Sequence, residues 1–193
     1  MERDRGPWIQ TMDGGAMYLL DPDPDLIRID TLAIVLSRIC RFGGHTRQFY
    51  SVAEHSVRVC RFVAARRVSC HLQLAALLHD AHEAYSGFGD VCRPARDLAP
   101  EIERVQTLFD NVLARKYGFD PLLFSSPLVR LADTVLLATE ARDLMRPAPQ
   151  PWCELPAPLP ERIVPLTRWH AAWQFESYAH CLIYQIDHLA QEN

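Results

Sequence analysis

The chain has 193 residues, 49% of them apolar and 23% charged, with a formal net charge of −4. That suits one domain with a sizeable core, since domains run to about 100–200 residues, and without a Lys/Arg tract it gives an extended nucleic-acid groove no electrostatic basis. No apolar run approaches the roughly 18 residues of a membrane span, and the acidic N-terminus is no secretory signal, so the expectation is a soluble, cytoplasmic protein that touches neither nucleic acid nor membrane. Cys40, Cys60, Cys70, Cys92, Cys153 and Cys181 are scattered without a C-x-x-C spacing, which reads as buried reduced thiols and not as a disulfide framework or zinc finger.

Along the chain, Trp8–Thr11, Asp13-Gly14-Gly15 and Met17–Leu20 predict a short hairpin with a glycine turn. Asp21-Pro22-Asp23-Pro24-Asp25 reads as an extended linker, because each proline pushes its predecessor out of the helical region. Asp30 is placed to cap a helix running to about Cys40, and a loop with Gly43 and Gly44 follows, flanked by Arg41 and Arg47. Ser51 and Glu54 have the spacing of a capping box. In the helix they open, His55 lies between Val52 and Val59 at spacings of three and four, so it faces the core.

The next predicted helix runs from Cys70 to about Ala84. Leu72, Ala75, Ala76, His79 and Glu83 share its inner face, and Asp80 is offset from His79 by about 100°. A helix opened by Pro100 carries Ile102, Val105, Leu108, Phe109 and Val112 inward and stops at Gly118. From Pro127 to Met145 another helix has Asp133 interrupting its apolar face between Val129 and Leu136. Seven of the fourteen prolines fall between Pro147 and Pro165, an irregular connection. The last helix, Thr167 to about Gln191, is expected to pack through Trp169, Ala172, Trp173, Ala179, Leu182, Ile183, Ile186 and Leu189. The fold class is therefore all-α, a single domain with a hairpin and linker (1–29), a helical core (30–145), a Pro-rich connection (146–166) and a C-terminal helix (167–193).

The chemistry concentrates in Leu77-Leu78-His79-Asp80-Ala81-His82-Glu83. Taken alone the His-Asp doublet suits a solvated helix end as well as a ligand site. Joined with His55 and Asp133 it becomes two imidazoles and two carboxylates on buried faces of three helices, and buried ionisable groups need a partner. That donor set matches a divalent ion with open coordination positions. The order H…HD…D resembles the HD-domain metal-dependent phosphohydrolases. With Arg41-Phe42, Ser51–Val57, Gly89-Asp90-Val91, Arg93-Pro94 and Ala132-Asp133, residues from about Asp30 to Met145 resemble the bacterial 5′-deoxynucleotidases and the phage-type dATP triphosphohydrolases.

The resemblance implies a compact HD-domain bundle. It makes His55, His79, Asp80 and Asp133 the ligands of a divalent ion, with Co, Mn, Zn, Mg, Ni and Fe all compatible. Glu83 would be general base or acid, and Arg41 would hold phosphate. Phe42 stands where the family places an aromatic, commonly tryptophan, beside the sugar. Asp90 and Arg96 would lie near the nucleotide, although Phe88-Gly89 lengthens the loop before Asp90. His45 and His82 could touch substrate, hold a second ion or cap a helix. The implied activity is hydrolysis of a 5′-deoxynucleotide, releasing phosphate from a monophosphate or triphosphate from dATP. Glu83 is followed by Ala84, which differs from the HD-x-x-E-D run of signalling-nucleotide hydrolases. The rival readings are an HD-scaffold di-iron oxygenase, which needs further His ligands, and a non-catalytic nucleotide-binding module. Trp169, Trp173, Tyr178 and Tyr184 would cover the core or form the face of a homo-oligomer.

Overall fold

Strands β1 (Trp8–Gln10) and β2 (Ala16–Tyr18) open the computed structural model, which describes residues 5–150, 152 and 154–191. They pair antiparallel with Ile9 opposite Met17, and Met17 is fully buried, which fastens the hairpin to the helical core. The following linker is not extended throughout. Asp23 accepts from the Asp25 amide and caps a 3-10 turn at Pro24–Leu26, where the fixed φ of Pro24 suits a first helical position.

Helix α1 (Ile29–Leu36) starts one residue before Asp30 and is capped by Arg28 without a side-chain bond. Asp30 lies inside the first turn, where it accepts from the Thr31 amide and pairs with Arg28. The helix ends well short of Cys40. Ser37 bonds back to the Ile34 carbonyl, a side-chain competitor for the helical ladder, and Cys40 pairs with Ser51 in an isolated bridge.

Helix α2 (Val52–Ala64) forms half of the expected capping box. Ser51 Oγ accepts from the Glu54 amide at 3.2 Å. Glu54 does not reach back to Ser51; its carboxylate takes Arg58 and, at 2.8 Å, the amide of Leu166 at the far end of the Pro-rich connection. Helices α3 (Cys70–Leu78), α4 (Arg93–Leu98), α5 (Pro100–Lys116), α6 (Pro127–Leu144) and α7 (Arg168–Gln191) complete the fold. α5 stops as expected at Gly118, whose φ of +72° lets the Phe119 and Tyr117 amides close on Ala114 and Leu113.

α2 sits at the centre, packed against α3, α6 and α7, and α7 in turn crosses α1, α2 and α3. One core gathers Leu32, Leu36, Val57, Leu74, Leu78, Phe109 and Phe175, and a second joins Val59, Val63, Ala76, Val129 and Leu136 between α2, α3 and α6. The face that α7 presents differs from the expected one. Ala171, Ala172, Phe175, Ala179, Leu182 and Ile186 are buried, whereas Trp169 and Trp173 are 74% and 61% exposed. The small alanines allow close approach of three helices at once, which a tryptophan at the same place would prevent.

The connection between α6 and α7 has irregular backbone, as its prolines require, and is pinned by side chains of α6. Thr139 Oγ1 accepts from the Leu159 amide and Asp143 from the Ile163 amide, while Arg142 donates to the Leu159 and Glu161 carbonyls. No described helix is long and apolar enough to cross a membrane. The five described cysteines are free thiols, and of these Cys60 is buried while Cys92 and Cys181 are exposed, on the loop before α4 and the outer face of α7. Cys153 lies outside the described residues.

Candidate metal centre

The predicted helix through Ala84 is interrupted at the doublet. α3 ends at Leu78, Asp80 takes φ −107° and ψ 14°, and a tighter 3-10 turn covers Ala81–Ala84. In a 3-10 turn residues three apart eclipse, so Asp80 and Glu83 come to one side more closely than the offset of about 60° between residues three apart in an α-helix would bring them. His55 arrives from the first turn of α2, and Asp133 from the second turn of α6.

Four atoms meet. His55 Nε2 lies 3.2 Å from Asp133 Oδ1, 3.3 Å from His79 Nε2 and 3.6 Å from Asp80 Oδ2. His79 Nε2 is 3.2 Å from Asp80 Oδ2 and 4.0 Å from Asp133 Oδ1. Two ligands each about 2.1 Å from one ion can be at most about 4.2 Å apart, and all five of these separations from the two imidazoles fall within that limit. Both imidazoles are tied at the other nitrogen: His55 Nδ1 to Glu140 Oε1 at 2.6 Å, and His79 Nδ1 to the Ala76 carbonyl at 2.9 Å. A ring whose Nδ1–H is donated presents a bare Nε2, the form a metal takes. His55 is fully buried, whereas the Asp133 side chain is 45% exposed and marks the open side.

Electrostatics follow from this crowding. Burial and Arg41 oppose a charged His55, but Glu140 and Asp133 outweigh them and raise it to about 10. Burial likewise opposes charge on His79, which Asp80 overcomes. Asp80 is held well below the usual carboxylate range against its own burial, by His79 first and then Arg41. Glu83 goes the other way: burial, with Asp80 and Asp90 close by, holds it well above that range. Its Oε2 is buried and has no hydrogen-bond partner among the described residues, an orphaned carboxylate oxygen of the kind a cation or water would satisfy.

The other expected site residues take varied places. Arg41 is nearly buried and is not an open fork for phosphate. Its guanidinium faces Asp90 at 3.2 Å, Glu140 at 3.4 Å and Asp80 at 3.5 Å, and its buried Nε has no partner among the described residues. Asp90 accepts from the Phe42 amide as well, so it clasps the glycine loop. That bond holds Phe42 at φ 57°, a conformation costly for a residue with a Cβ. The Phe42 ring lies 6.3 Å from Trp152 of the Pro-rich connection. His45 is exposed at the end of the loop, and Arg96 is half-buried on α4; no hydrogen bond joins either side chain to the cluster among the described residues.

Sequence reasoning missed Glu140 and Asp110. Glu140 is fully buried behind His55, and Asp110 of α5 bonds His82 Nδ1 at 2.9 Å. A signal for Glu140 existed: it follows Asp133 by seven residues, two turns along one stripe of α6. Nothing local pointed to Asp110.

Fold and cluster together define a mostly helical protein with a buried His/Asp/Glu group that could hold a metal ion. No family model matches the chain. It is 37% identical over 171 residues to the uncharacterized protein YfdR of Escherichia coli (strain K12), covering 87% of this chain and 91% of YfdR. It is 33% identical over 147 residues to the uncharacterized protein RCAP_rcc00048 of Rhodobacter capsulatus, 71% of this chain and 72% of that relative. The chain belongs to the family of these two proteins.

Proposed function

We propose that the protein is an HD-type, divalent-metal-dependent phosphohydrolase acting on 5′-deoxynucleotides. The observation that carries this reading is the convergence of His55, His79, Asp80 and Asp133, from three separate helices, to within 3.2–4.0 Å around His55 and His79. A divalent ion held there supplies Lewis acidity, polarising a phosphoryl oxygen and easing loss of a proton from water. His55 and His79 offer their Nε2 atoms to it, with tautomers set by Glu140 and Ala76.

Glu83 carries the proton chemistry in this reading. Burial beside Asp80 and Asp90 raises its pKa, which favours the protonated form that would give a proton to a leaving phosphate-ester oxygen. Arg41 holds the carboxylates of Asp80, Asp90 and Glu140 in place around the cluster. Phe42 and Trp152 supply flat apolar surface beside the loop, suited to a sugar or base. The nucleotide itself comes from the sequence resemblance.

The test is phosphorus NMR of the purified protein with Mn²⁺, Co²⁺ or Mg²⁺ and each of dAMP, AMP and dATP. Orthophosphate from dAMP identifies a nucleotidase, and inorganic triphosphate from dATP a triphosphohydrolase. Asp80→Ala should abolish turnover and metal binding with helical content retained. Turnover that persists in this variant, or its absence from the wild-type protein with all three nucleotides, overturns the proposal.

A further inference from the structure

We propose that the outer face of α7 pairs antiparallel with the same face of a second copy of this chain, about a two-fold axis, making the protein a homodimer. The pairing is independent of the metal centre.

The composition of the helix is the first observation. Between Trp169 and Asn193 there is no lysine or arginine, whereas a surface kept in water usually intersperses charges of both signs. Aromatic residues stand there instead: Trp169, Trp173 and Tyr184 are 74%, 61% and 64% exposed. Single exposed apolar side chains are ordinary. These three, however, share one stripe with Glu176, His180 and Asp187, at successive spacings of four, three, four, four and three residues. That is the rhythm of a helix seam that meets another helix. The core takes the opposite side of α7, where Phe175, Ala179 and Leu182 are buried. Tyr178 lies off the stripe, and its hydroxyl accepts from Arg61 at 2.8 Å.

The seam is complementary to itself. In a two-fold interface residue i meets j while j meets i. An antiparallel register that sets Glu176 against the partner's His180 also sets Trp169 against the partner's Asp187, because both pairs are centred on position 178. Trp173 then falls beside the partner's Tyr184, and the small Ser177 lies near the axis, where it lets the two backbones approach. The polar groups of the seam find matches: the His180 imidazole donates to the partner's Glu176, and the Trp169 indole N–H to the partner's Asp187. Glu176 already lies 3.8 Å from His180 in its own chain, so the axis joins two such pairs. A parallel pairing would set Glu176 against Glu176 and Asp187 against Asp187, like charge on like, which is costly.

The area suffices for a specific pair. The seam is about 27 Å long at 1.5 Å per residue. Buried aromatic side chains cover roughly 150–250 Å² each, so the exposed parts of Trp169, Trp173 and Tyr184 amount to roughly 400 Å² on each chain. With the polar residues between them, two such faces remove roughly 1,200 Å² from water, the lower end for a stable interface. Tryptophan and tyrosine are also the residues in which binding energy concentrates. The contact joins two chains that are already folded, so losing a seam tryptophan leaves the stability of the single chain as it is.

The experiment is sedimentation equilibrium of the full chain at up to about 100 μM, well above the micromolar affinity of weak interfaces of this size. The wild-type protein should be a dimer. Trp169→Glu and Trp173→Glu should each weaken it by at least about 30-fold, the effect of losing a central anchor, with the helical circular dichroism unchanged. His180→Glu, which gathers carboxylates across the axis, should weaken it by about 10-fold or more, and adding Glu176→Arg to that variant should restore it. A monomeric wild-type protein overturns the proposal, whatever other molecule covers the face. A dimer that both tryptophan variants leave intact lies elsewhere on the surface and overturns it equally. A dimer that His180→Glu leaves unchanged, or that Glu176→Arg does not restore, overturns the antiparallel register.

Discussion

Glu140 Oε1 accepts the Nδ1–H of His55 at 2.6 Å, with both side chains fully buried. The pair spans α2 and α6, and Glu140 Oε2 also faces Arg41 at 3.4 Å, so one carboxylate orients a candidate ligand and anchors the guanidinium beside it. Glu140→Gln keeps the shape but removes the charge that favours a donating Nδ1–H. Divalent-metal affinity should fall by about 10–100-fold, the usual effect of losing such a partner. Competition with a chromophoric chelator measures it, and an unchanged affinity would show that His55 is not a ligand.

Arg41 is the cation of a buried cluster that includes Asp80, Asp90 and Glu140. Arg41→Met retains most of the apolar stem and strands those carboxylates. With a chelator present, the variant should lose about 3–5 kcal/mol in urea unfolding, the range for breaking a buried charge pair from one side. Saturating Mn²⁺ should shrink the loss. An equal loss with and without metal would place no cation near Asp80.

Asp143 predicts an acid-sensitive clasp on the Pro-rich connection. It accepts from Arg142, Arg162 and the Ile163 amide, and Arg142 first, against a small burial cost, draws its pKa from 3.8 to about 2. The folded value lies below the unfolded one, so the stabilisation is complete above about pH 4 and is lost as pH falls through about 2; the shift corresponds to about 2 kcal/mol. Asp143→Asn should cost about that much at pH 7, and the gap to wild type should roughly halve by pH 3. A gap of the same size at both pH values would rule out the ionised carboxylate as its source.

The face of α7 can be sorted by two substitutions. Phe175 is fully buried in the core shared with α1, α2 and α3, so Phe175→Ala should cost about 3–5 kcal/mol. Trp173, 61% exposed, should change stability by no more than about 0.5 kcal/mol when replaced by alanine. Urea unfolding of both variants decides it; a large loss at Trp173 would mean that the helix is rotated from the orientation described.

The sequence by itself determined where the helices lie and which side chains are chemically out of place. Caps and breakers act over three or four residues, so Ser51, Pro100, Gly118 and Pro127 mark their helix ends legibly. His55, His79, Asp80 and Asp133 stand out because polar groups on apolar faces break a short period. Only the tertiary structure decided what those groups meet. Glu54 had a local role on offer and took Arg58 and Leu166 instead. Arg41 was spent on three carboxylates, α7 turned its alanines inward, and the helix broke at Asp80. Each outcome depends on a partner tens of residues away, or on the volume left between packed helices. Local periodicity carries no information about such distances, which the competition for burial and for charge partners settles when the chain closes.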